Sequence, residues 1–575
     1  MYRWMVVVAG LVTALSFTSS AAEQEKQPYP LRWFFADCDI GNQKSVEKTL
    51  DVINTASQHG YNGFVLSGGL DRMDLFSPEA LKNLTKVNDA CKAKGIDIIP
   101  LVFSVGYGSS LVQHDMNLAE GFPVKDMLYA VDNGYARHVP DTSVTIPNGS
   151  FEQYDGNKVT GFDGQDMPGE VSFIDTTVVK DGKASLRFEN FAKDSHKRGR
   201  INKVVKVQPY HSYRVSYWVK TEDFKADQMG WFPIGQNDKG RYLGWFDRPP
   251  QATTDWTQVI GGFDSMEYGE VAIYVGCWGG RKGKFWVDDL RIEDTGILNI
   301  LRRPGAPLVV KNRDGGDIYE EGKDFSPVSD PGIDYKYNRS PIKIEILPGG
   351  KIKNGDKLLI SYYYYGRFNS KGQSVICMSE PKTYQIWEEQ VKRLNEAIAP
   401  KYYYLDMDEI RGGGTCEACQ KAKKEKGWTM GQVLGNCVTQ IHDIIKKVNP
   451  KAEVLVWSDM FDPNHNAKEG LYMTDGSYAE SWKYIPKDML IAVWGDAEKA
   501  FKHFTDNGFM VFGADYYDAD DLEGAKKWLN WMDLYPGKVL GIMYTTWESK
   551  FELLAAFGDL VMSHKTYTPK AAGTP

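Results

Sequence analysis

The sequence predicts an α/β fold: a (β/α)8 TIM barrel with an all-β, jelly-roll-like region inserted after its third strand. At both ends of the chain, apolar segments of strand length alternate with segments of helical periodicity, as expected for parallel strands that are covered on both faces. In the middle, short alternating strands separated by Gly and Asn turns replace this pattern. The first pattern indicates the barrel, and the second indicates the insertion.

Eight segments of the chain are predicted to be barrel strands, three before the insertion and five after it. Helical stripes lie between them; Val46, Leu50 and Ile53, for example, share one helix face. Eight parallel strands with intervening helices is the count of a TIM barrel. The strand segments are LRWFFAD (31–37), NGFVLS (62–67), IDIIPLVFS (96–104), KYYYLDM (401–407), EVLVWSD (453–459), LIAVW (490–494), FMVFG (509–513) and VLGIMYTTW (539–547).

The chain is predicted to begin with a secretory signal peptide, in which Arg3 precedes a short apolar run and small residues precede Glu23. We therefore expect a secreted or periplasmic protein. The predicted parts are the signal peptide (1–22), the first part of the barrel (30–141), an inserted β-sandwich (142–293), a small β unit (294–372) and the second part of the barrel (373–567).

Composition and charge exclude some partners. The net charge of -8 and the pI near 5.7 leave no basic stripe that could hold a phosphate backbone, so nucleic acid is not an expected partner. The apolar run of the signal peptide is too short for a membrane span, and no other segment approaches the required length. The expected partner is a glycan, for the following reasons.

Acidic and aromatic residues follow the predicted barrel strands, where a TIM barrel places its chemistry. The sequence contains no H-E-x-x-H, G-x-S-x-G or Walker-type glycine loop, so no catalytic metal or other cofactor is expected. Acids can protonate a glycosidic bond and stabilise the developing cation, while aromatic faces hold the sugar ring. The candidates for sugar binding are Arg32, Asp37, Asp406, Trp457, Asp459, Trp494, Asp515, Tyr516, Trp547 and Glu548, beside the acid pair Asp408 and Glu409.

The pair Asp408-Glu409 after the fourth strand resembles family 20 glycoside hydrolases, the exo-acting β-N-acetylhexosaminidases, whose signature there is H-x-G-G-D-E. The resemblance covers the barrel only, and the strand 8 segment YTTWE supports it. The chain departs from the signature at Tyr404, Asp406 and Met407, and SVGYG follows strand 3 where the family has a Pro-Gly-His run. The sequence is therefore similar to a divergent branch of the family.

The resemblance implies a substrate-assisted mechanism, in which the acetamido oxygen of the sugar attacks the anomeric carbon. Asp408 would orient the acetamide, and Glu409 would act as the general acid and then as the general base. In an ideal strand Asp406 and Asp408 share one face and Glu409 has the other. The chain must therefore bend after Asp408, and Gly412–Gly414 supply conformational freedom nearby. We expect the neighbouring carboxylates to raise one another's pKa, which would keep Glu409 protonated often enough to donate.

Three alternatives stay open. The first is an exo-glycosidase of another specificity, such as a β-galactosidase or a sialidase, which the replaced His and Gly of the signature favour. The second is a non-catalytic glycan-binding protein on an inactive barrel. The third is that the acids form a solvated loop. Acids at several strand ends favour an enzyme, because binding alone needs no proton donor beside an orienting aspartate.

The insertion resembles the jelly-roll sandwiches of carbohydrate-binding modules in the segments IPNGSFE (146–152), DGKASLRF (181–188) and FWVDDLRIE (285–293). Such modules often hold one structural calcium, and the resemblance implies Glu152, Asp288 and Asp289 as its oxygen ligands. Three tryptophans of the insertion are candidates either for glycan stacking or for core packing: Trp231, Trp245 and Trp278.

Seven cysteines are few for the length of the chain and odd in number, so the sequence does not predict a disulfide-built scaffold. Cys416 and Cys419 form a C-x-x-C pair that could be half of a zinc site, but no second C-x-x-C or H-x-H pair accompanies it. A local disulfide or two packed thiols are the alternatives that the sequence favours.

Overall fold

The computed structural model describes residues 28–236, 240–244, 246–247, 251–334, 336–366 and 373–564. The predicted signal peptide and Trp245 lie outside these residues. Within the described part of the chain, no helix is both long enough and apolar enough to cross a membrane.

Eight parallel strands close into a barrel in chain order, which confirms the predicted (β/α)8 architecture. The last strand pairs with the first, with Leu31 opposite Gly541. The third and fourth strands pair directly, with Val102 opposite Leu405, although the whole insertion separates them along the chain. The barrel strands are Leu31–Asp37, Gly63–Ser67, Asp97–Val102, Tyr402–Leu405, Glu453–Trp457, Leu490–Val493, Met510–Tyr516 and Val539–Thr545.

Apolar side chains fill the inside of the barrel and also cover its outside. In the first strand, Trp33 and Phe35 belong to the interior cluster, whereas Phe34 belongs to the outer core together with Val46 and Ile53 of the following helix. A strand that is buried on both faces needs apolar residues at successive positions. This is the physical reason that the barrel strands are continuous apolar segments in the sequence.

Helices surround the barrel. After the fifth strand, however, the described chain forms two 3-10 turns, Asp459–Phe461 and Ser481–Tyr484, and no α-helix before the sixth strand. The predicted alternation therefore lacks one helix. The α-helices are Gln43–Gln58, Pro78–Ala93, Ser109–Val112, Pro381–Ala397, Glu417–Lys426, Met430–Val448, Ala497–Asp506, Glu523–Met532 and Leu554–Ser563, and the other 3-10 turns are Leu70–Leu75, Met116–Leu118 and Phe191–Lys193.

A six-stranded sheet forms the small β unit, and it begins earlier in the chain than predicted. The strand Gly121–Asp132, which we assigned to the first part of the barrel, pairs antiparallel with Lys357–Tyr365. The unit is therefore assembled from both flanks of the β-sandwich, and sequence periodicity cannot show such a long-range pairing. In order across the sheet, the strands are Ile318–Tyr319, Val309–Asn312, Lys357–Tyr365, Gly121–Asp132, Tyr135–His138 and Ile344–Glu345.

Between these flanks lies the predicted all-β insertion, built around two long antiparallel strands, Ser212–Gly235 and Glu270–Asp294. Trp231 is buried and stacks on Phe246 with 4.2 Å between ring centroids, so it packs in the core. Trp278 is half-buried beside Arg200. The other strands are Tyr154–Asp155, Lys158–Val159, Gly164–Gln165, Ser172–Asp175, Ser185–Phe188, Gly199–Lys206, Phe246–Asp247 and Thr254–Asp264, and a separate two-stranded sheet joins Gly412–Gly413 to Met473–Thr474.

The three carboxylates predicted to bind calcium each contact protein groups. Glu152 Oε1 accepts the backbone N–H of Lys183 at 2.8 Å, and Asp288 Oδ2 accepts that of Lys180 at 2.8 Å. Asp289 pairs with Arg291. In the described chain these three residues do not form a cluster with the spacing of metal ligands. The calcium site stays a prediction.

Candidate active site

The carboxyl ends of the barrel strands surround a cavity of about 490 Å³. Small-molecule sites typically have volumes of about 300–1,000 Å³. Six residues that the sequence predicted for a sugar site line this cavity, namely Asp406, Asp408, Glu409, Trp457, Trp494 and Trp547.

Three aspartates crowd together on one side of the cavity. Asp406 and Asp408 continue the inward face of the fourth strand above Tyr404, which lies inside the barrel. Burial raises the pKa of Asp406 to about 6. Burial, followed by the charges of Asp406, Asp459 and Glu409, raises the pKa of Asp408 well above its ordinary value. Neighbouring carboxylates thus add to the effect of burial at Asp408, whereas protonation of Glu409 stays a prediction.

The contacts of these aspartates differ. Trp457 Nε1 donates a hydrogen bond to Asp406 Oδ1 at 3.2 Å. Asp459, from the end of the fifth strand, is buried and does not line the cavity, and burial raises its pKa as well. Asp408 Oδ1 finds no hydrogen-bond partner among the described residues. Of the three carboxylates, Asp408 is thus the one that lines the cavity with a buried acceptor oxygen left for a ligand.

Glu409 reaches the cavity because the chain bends at this residue. Its φ of 43° is left-handed, and its backbone N–H donates to Asp459 Oδ2 at 2.9 Å. The predicted bend after Asp408 therefore occurs at Glu409 itself, ahead of Gly412. Gly106 approaches so closely that a Cβ there would lie 2.1 Å from the carbonyl oxygen of Asp408.

Two donors hold the carboxylate of Glu409. The Tyr107 hydroxyl donates a hydrogen bond to Glu409 Oε2, and Arg411 forms an ion pair with the same oxygen at 3.0 Å. The side chain of Glu409 is 27% exposed. A carboxylate that is held by a hydroxyl and a guanidinium and is still partly open to solvent can exchange a proton with a ligand in the cavity.

Aromatic rings form another part of the cavity wall. Trp457 is buried, with its ring centroid 4.7 Å from that of Tyr404, and Trp547 is 46% exposed at the opening. Trp494 stacks with Tyr517 at 6.1 Å between centroids. The indole Nε1 of Trp494 is buried and has no partner among the described residues. These faces suit the apolar side of a sugar ring.

The structure brings Tyr517, rather than the predicted Tyr516, into the cavity. Tyr516 is buried and stacks on Tyr544 with 4.0 Å between ring centroids. Tyr516, Tyr517 and Asp518 all have positive φ angles, of 85°, 44° and 59°. Strand alternation therefore ends at this position, and the chain turns so that the next side chain faces the cavity. Burial and then the charge of Asp408 raise the pKa of Tyr517.

Four other predicted residues do not line the cavity. Arg32 donates to the carbonyl oxygens of Gly60 and Tyr29, at the opposite end of the barrel, because it is the second residue of its strand. Asp37 is exposed at its strand end. Asp515 lies away from the cavity, and burial raises its pKa to about 6. Glu548 is 65% exposed and pairs with Lys550 at 2.8 Å.

Several cavity residues were not predicted from the sequence. They include residues from the loops after the second and third strands, which carry no acid-aromatic pair. The segment SVGYG (104–108), which differs from the family pattern, contributes two of them, Ser104 and Tyr107. Among the unpredicted lining residues are Ser67, Asp71, Arg72, Ser104, Tyr107 and Tyr517.

Two of these residues carry charge. Asp71 is buried and accepts the backbone N–H of Phe103 at 3.0 Å, and burial raises its pKa. Arg72 pairs with Gln113, while its buried Nε has no partner among the described residues. Polar residues shortly after a predicted strand are the signal that could have identified both.

Residues 362–543, which include most of the second part of the barrel, match the family described as glycosyl hydrolase family 20, catalytic domain. The match includes Asp408 and Glu409. It confirms the predicted resemblance to family 20, and it defines the protein as a glycoside hydrolase. A comparison with curated proteins finds no match.

Solved structures that resemble the chain include two glycoside hydrolases of family 20. A Flavobacterium johnsoniae chitobiase is 9% identical over 95% of this chain and 50% of that chain, with a TM-score of 0.38. A glycoside hydrolase family 20 β-N-acetylglucosaminidase is 8% identical over 94% of this chain and 71% of that one, with a TM-score of 0.35. A carbohydrate-binding module of family 4 is 16% identical over 26% of this chain and 99% of that one, with a TM-score of 0.19.

Proposed function

We propose that the protein is an exported exo-glycosidase that removes terminal β-linked N-acetylhexosamine from glycans by substrate-assisted, retaining hydrolysis. The observation that carries this proposal is the different setting of two adjacent acids. Asp408 is buried and offers an acceptor oxygen to the cavity, whereas Glu409 is partly exposed and is held by Tyr107 and Arg411. An orienting carboxylate and a proton donor need these two settings.

In the first step, the acetamido oxygen of the substrate attacks the anomeric carbon as the bond to the leaving oxygen breaks. Glu409 gives its proton to that leaving oxygen. Asp408 accepts the N–H of the acetamide and stabilises the positive charge that develops on the cyclised intermediate. In the second step, Glu409 takes a proton from water, which attacks the anomeric carbon and reopens the ring. Two inversions at the same carbon retain the β configuration.

The positions of the other acids support the assignment of the substrate's acetamido group as the nucleophile. A direct double displacement needs a second carboxylate about 5–5.5 Å from the acid. Asp515 and Glu548, the carboxylates at the ends of the seventh and eighth strands that could serve as such a nucleophile, do not line the cavity. Asp406 does, but one of its oxygens is bound by the indole of Trp457, and Asp71 is bound by the backbone of Phe103.

The aromatic wall supports binding of a single sugar ring. Trp457 closes the bottom of the cavity, Trp494 and Tyr517 stand together at one side, and Trp547 is at the opening. Tyr517 lines the same cavity as Asp408. Its hydroxyl is suited to donate a hydrogen bond to the acetamido oxygen as that oxygen attacks.

The test combines a substrate panel with an intermediate mimic. We expect hydrolysis of aryl β-N-acetylglucosaminide or galactosaminide, and strong inhibition by a thiazoline analogue of the cyclised intermediate, because such an analogue resembles the transition state more than the substrate does. Asp408→Ala should weaken that inhibition, whereas Asp443→Ala, at an exposed helix position, should not change it.

Three results would contradict the proposal. Hydrolysis of galactosides or sialosides alone would indicate another specificity. Labelling of a carboxylate by a fluorosugar, without thiazoline inhibition, would indicate a protein nucleophile. Glycan binding without any hydrolysis would indicate an inactive barrel. Export is tested separately. Sequencing the N-terminus of the mature protein should show cleavage after Ala22.

A further inference from the structure

Three thiols and one carboxylate meet in a buried cluster beside the active-site loop. The side chains of Glu120, Cys377, Cys416 and Cys419 each offer one ligand atom, and these four atoms lie within 4.8 Å of one another. All four residues are buried, and all seven cysteines of the chain are free thiols. This cluster lies outside the catalytic cavity described above.

The topology explains why these distant residues meet. The chain leaves the barrel for the insertion at Glu120 and returns at Cys377; we call these two segments the crossings. The crossings are hydrogen-bonded to each other: Glu120 N–H donates to Val375 O at 2.8 Å, and Cys377 N–H donates to Leu118 O at 2.9 Å. Cys416 and Cys419 come from the loop and helix that follow the acid pair of the fourth strand. The cluster thus lies where three separate segments join.

The distances agree with one tetrahedral zinc ion. With Zn–S bonds of about 2.3 Å and a Zn–O bond of about 2.0–2.2 Å, two sulfurs lie ~3.8 Å apart and a sulfur and an oxygen lie ~3.5 Å apart. Here Cys377 Sγ lies 3.5 Å from Cys416 Sγ and 3.7 Å from Cys419 Sγ, and Cys419 Sγ lies 3.4 Å from Glu120 Oε2. A disulfide would need about 2.0 Å between two sulfurs.

The surroundings orient the carboxylate as a ligand with one free oxygen. Glu120 Oε1 accepts hydrogen bonds from the backbone N–H groups of Thr415 at 2.8 Å and Cys416 at 2.9 Å, and from the Thr415 hydroxyl at 3.0 Å. The other oxygen, Glu120 Oε2, faces the sulfur of Cys419. Such second partners fix the orientation of metal ligands.

Charge balance also fits a metal. Three thiolates and one carboxylate around Zn²⁺ carry a net charge of about -2, and buried charge needs compensation. The buried side chain of Arg303 donates to Ala119 O at 3.1 Å, next to Glu120, and also pairs with Glu380 at 3.2 Å. One guanidinium and the amide groups on Glu120 supply positive charge at this site.

We propose that Glu120, Cys377, Cys416 and Cys419 bind one structural Zn²⁺ ion. Four protein ligands close the coordination sphere, as in structural rather than catalytic zinc sites. The ion ties both crossings of the insertion to the loop after the fourth strand, and binding releases the thiol protons to solvent. This proposal does not depend on the proposed sugar specificity.

The full chain, purified without chelators, should contain about one zinc per chain by elemental analysis. Titration with Co²⁺ after zinc removal should produce the thiolate-to-cobalt charge-transfer band and the visible bands of tetrahedral cobalt. Cys377→Ser and Cys419→Ser should lose the zinc and the spectrum, whereas Cys91→Ser, which changes a buried cysteine on the helix Pro78–Ala93, should keep both.

Two measurements keep the test decisive if a cysteine variant does not fold. Glu120→Gln retains every thiol, and we expect it to bind Co²⁺ at least about tenfold more weakly, as loss of one ligand implies. Thiol titration of the denatured wild type with a chelator should find all seven cysteines reduced. A count of five, 7 − 2, would show a disulfide, and zinc-free protein that gives no cobalt spectrum would overturn the proposal.

Discussion

The carboxylate of Asp459 accepts the backbone N–H of Glu409 at 2.9 Å, and it thereby holds a glutamate whose φ is 43°. A left-handed conformation is unfavourable for a residue other than glycine and needs support from its surroundings. The loop after the fifth strand therefore helps to position the acid of the fourth strand. Asn466 Nδ2 donates to the same Asp459 oxygen at 2.8 Å.

This relationship predicts the effect of two substitutions at one position. Asp459→Ala should lower kcat by roughly 10²-fold with a smaller change in KM, because a misplacement of about 1 Å of a catalytic group has that effect. Asp459→Asn should restore most of the activity, since its amide oxygen can accept the same N–H. Equal kcat for the Ala variant and the wild type would contradict a positioning role.

Replacing the acid itself should have an effect that depends on the leaving group. Glu409→Gln should lose about 10²–10⁴-fold in kcat on substrates with poor leaving groups and much less on activated aryl glycosides, because only the former need protonation. The comparison is made with a series of aryl leaving groups. Glu498→Gln, at an exposed helix position, should match the wild type throughout. Loss of equal size on all substrates would argue against general acid catalysis by Glu409.

Two neighbouring tyrosines should respond differently to the same change. Tyr517→Phe removes a hydroxyl at the cavity and should lower kcat/KM by roughly 10- to 10²-fold, the value of a hydrogen bond to a charged group. Tyr516→Phe should leave kcat/KM near the wild-type value, because its ring stacks on Tyr544 outside the cavity. Measuring kcat/KM of both variants on one aryl glycoside tests which tyrosine contacts the substrate. A larger loss for Tyr516→Phe than for Tyr517→Phe would refute the placement of Tyr517 in the cavity.

Asp515 should make the stability of the protein depend on pH. Burial raises its pKa from 3.8 to about 6, and its Oδ2 has no partner in the described chain. The native state therefore binds more protons than the unfolded state between these values, and stability falls as the pH rises through this window. A shift of about two pKa units corresponds to about 3 kcal/mol.

Asp515→Asn cannot ionise, so it removes the loss of stability that the wild type shows as the pH rises. The variant should therefore be more stable than the wild type at about pH 7, by up to about 3 kcal/mol, and of similar stability at about pH 4. Thermal unfolding of both proteins across this range measures the difference. A variant that is less stable than the wild type at both pH values would show that the ionised carboxylate has a stabilising partner.

The sequence by itself determined the barrel, its strand segments and the acids at the mouth. Strand burial on both faces requires continuous apolar segments, and these are local features of the chain. Adjacent residues such as Asp408 and Glu409 also reach the same strand end in any arrangement of the barrel. For these reasons the resemblance to family 20 can be recognised from the order of residues alone.

Only the tertiary structure decided which side chains face the cavity and which distant segments meet. Tyr517 replaces Tyr516 because three successive positive φ angles interrupt strand alternation, and sequence periodicity assumes that alternation continues. The strand Gly121–Asp132 joins a sheet, and Glu120 and Cys377 join the C-x-x-C pair, only through contacts between segments far apart in the chain. Such contacts depend on how the whole chain packs, and no local pattern of residues records them.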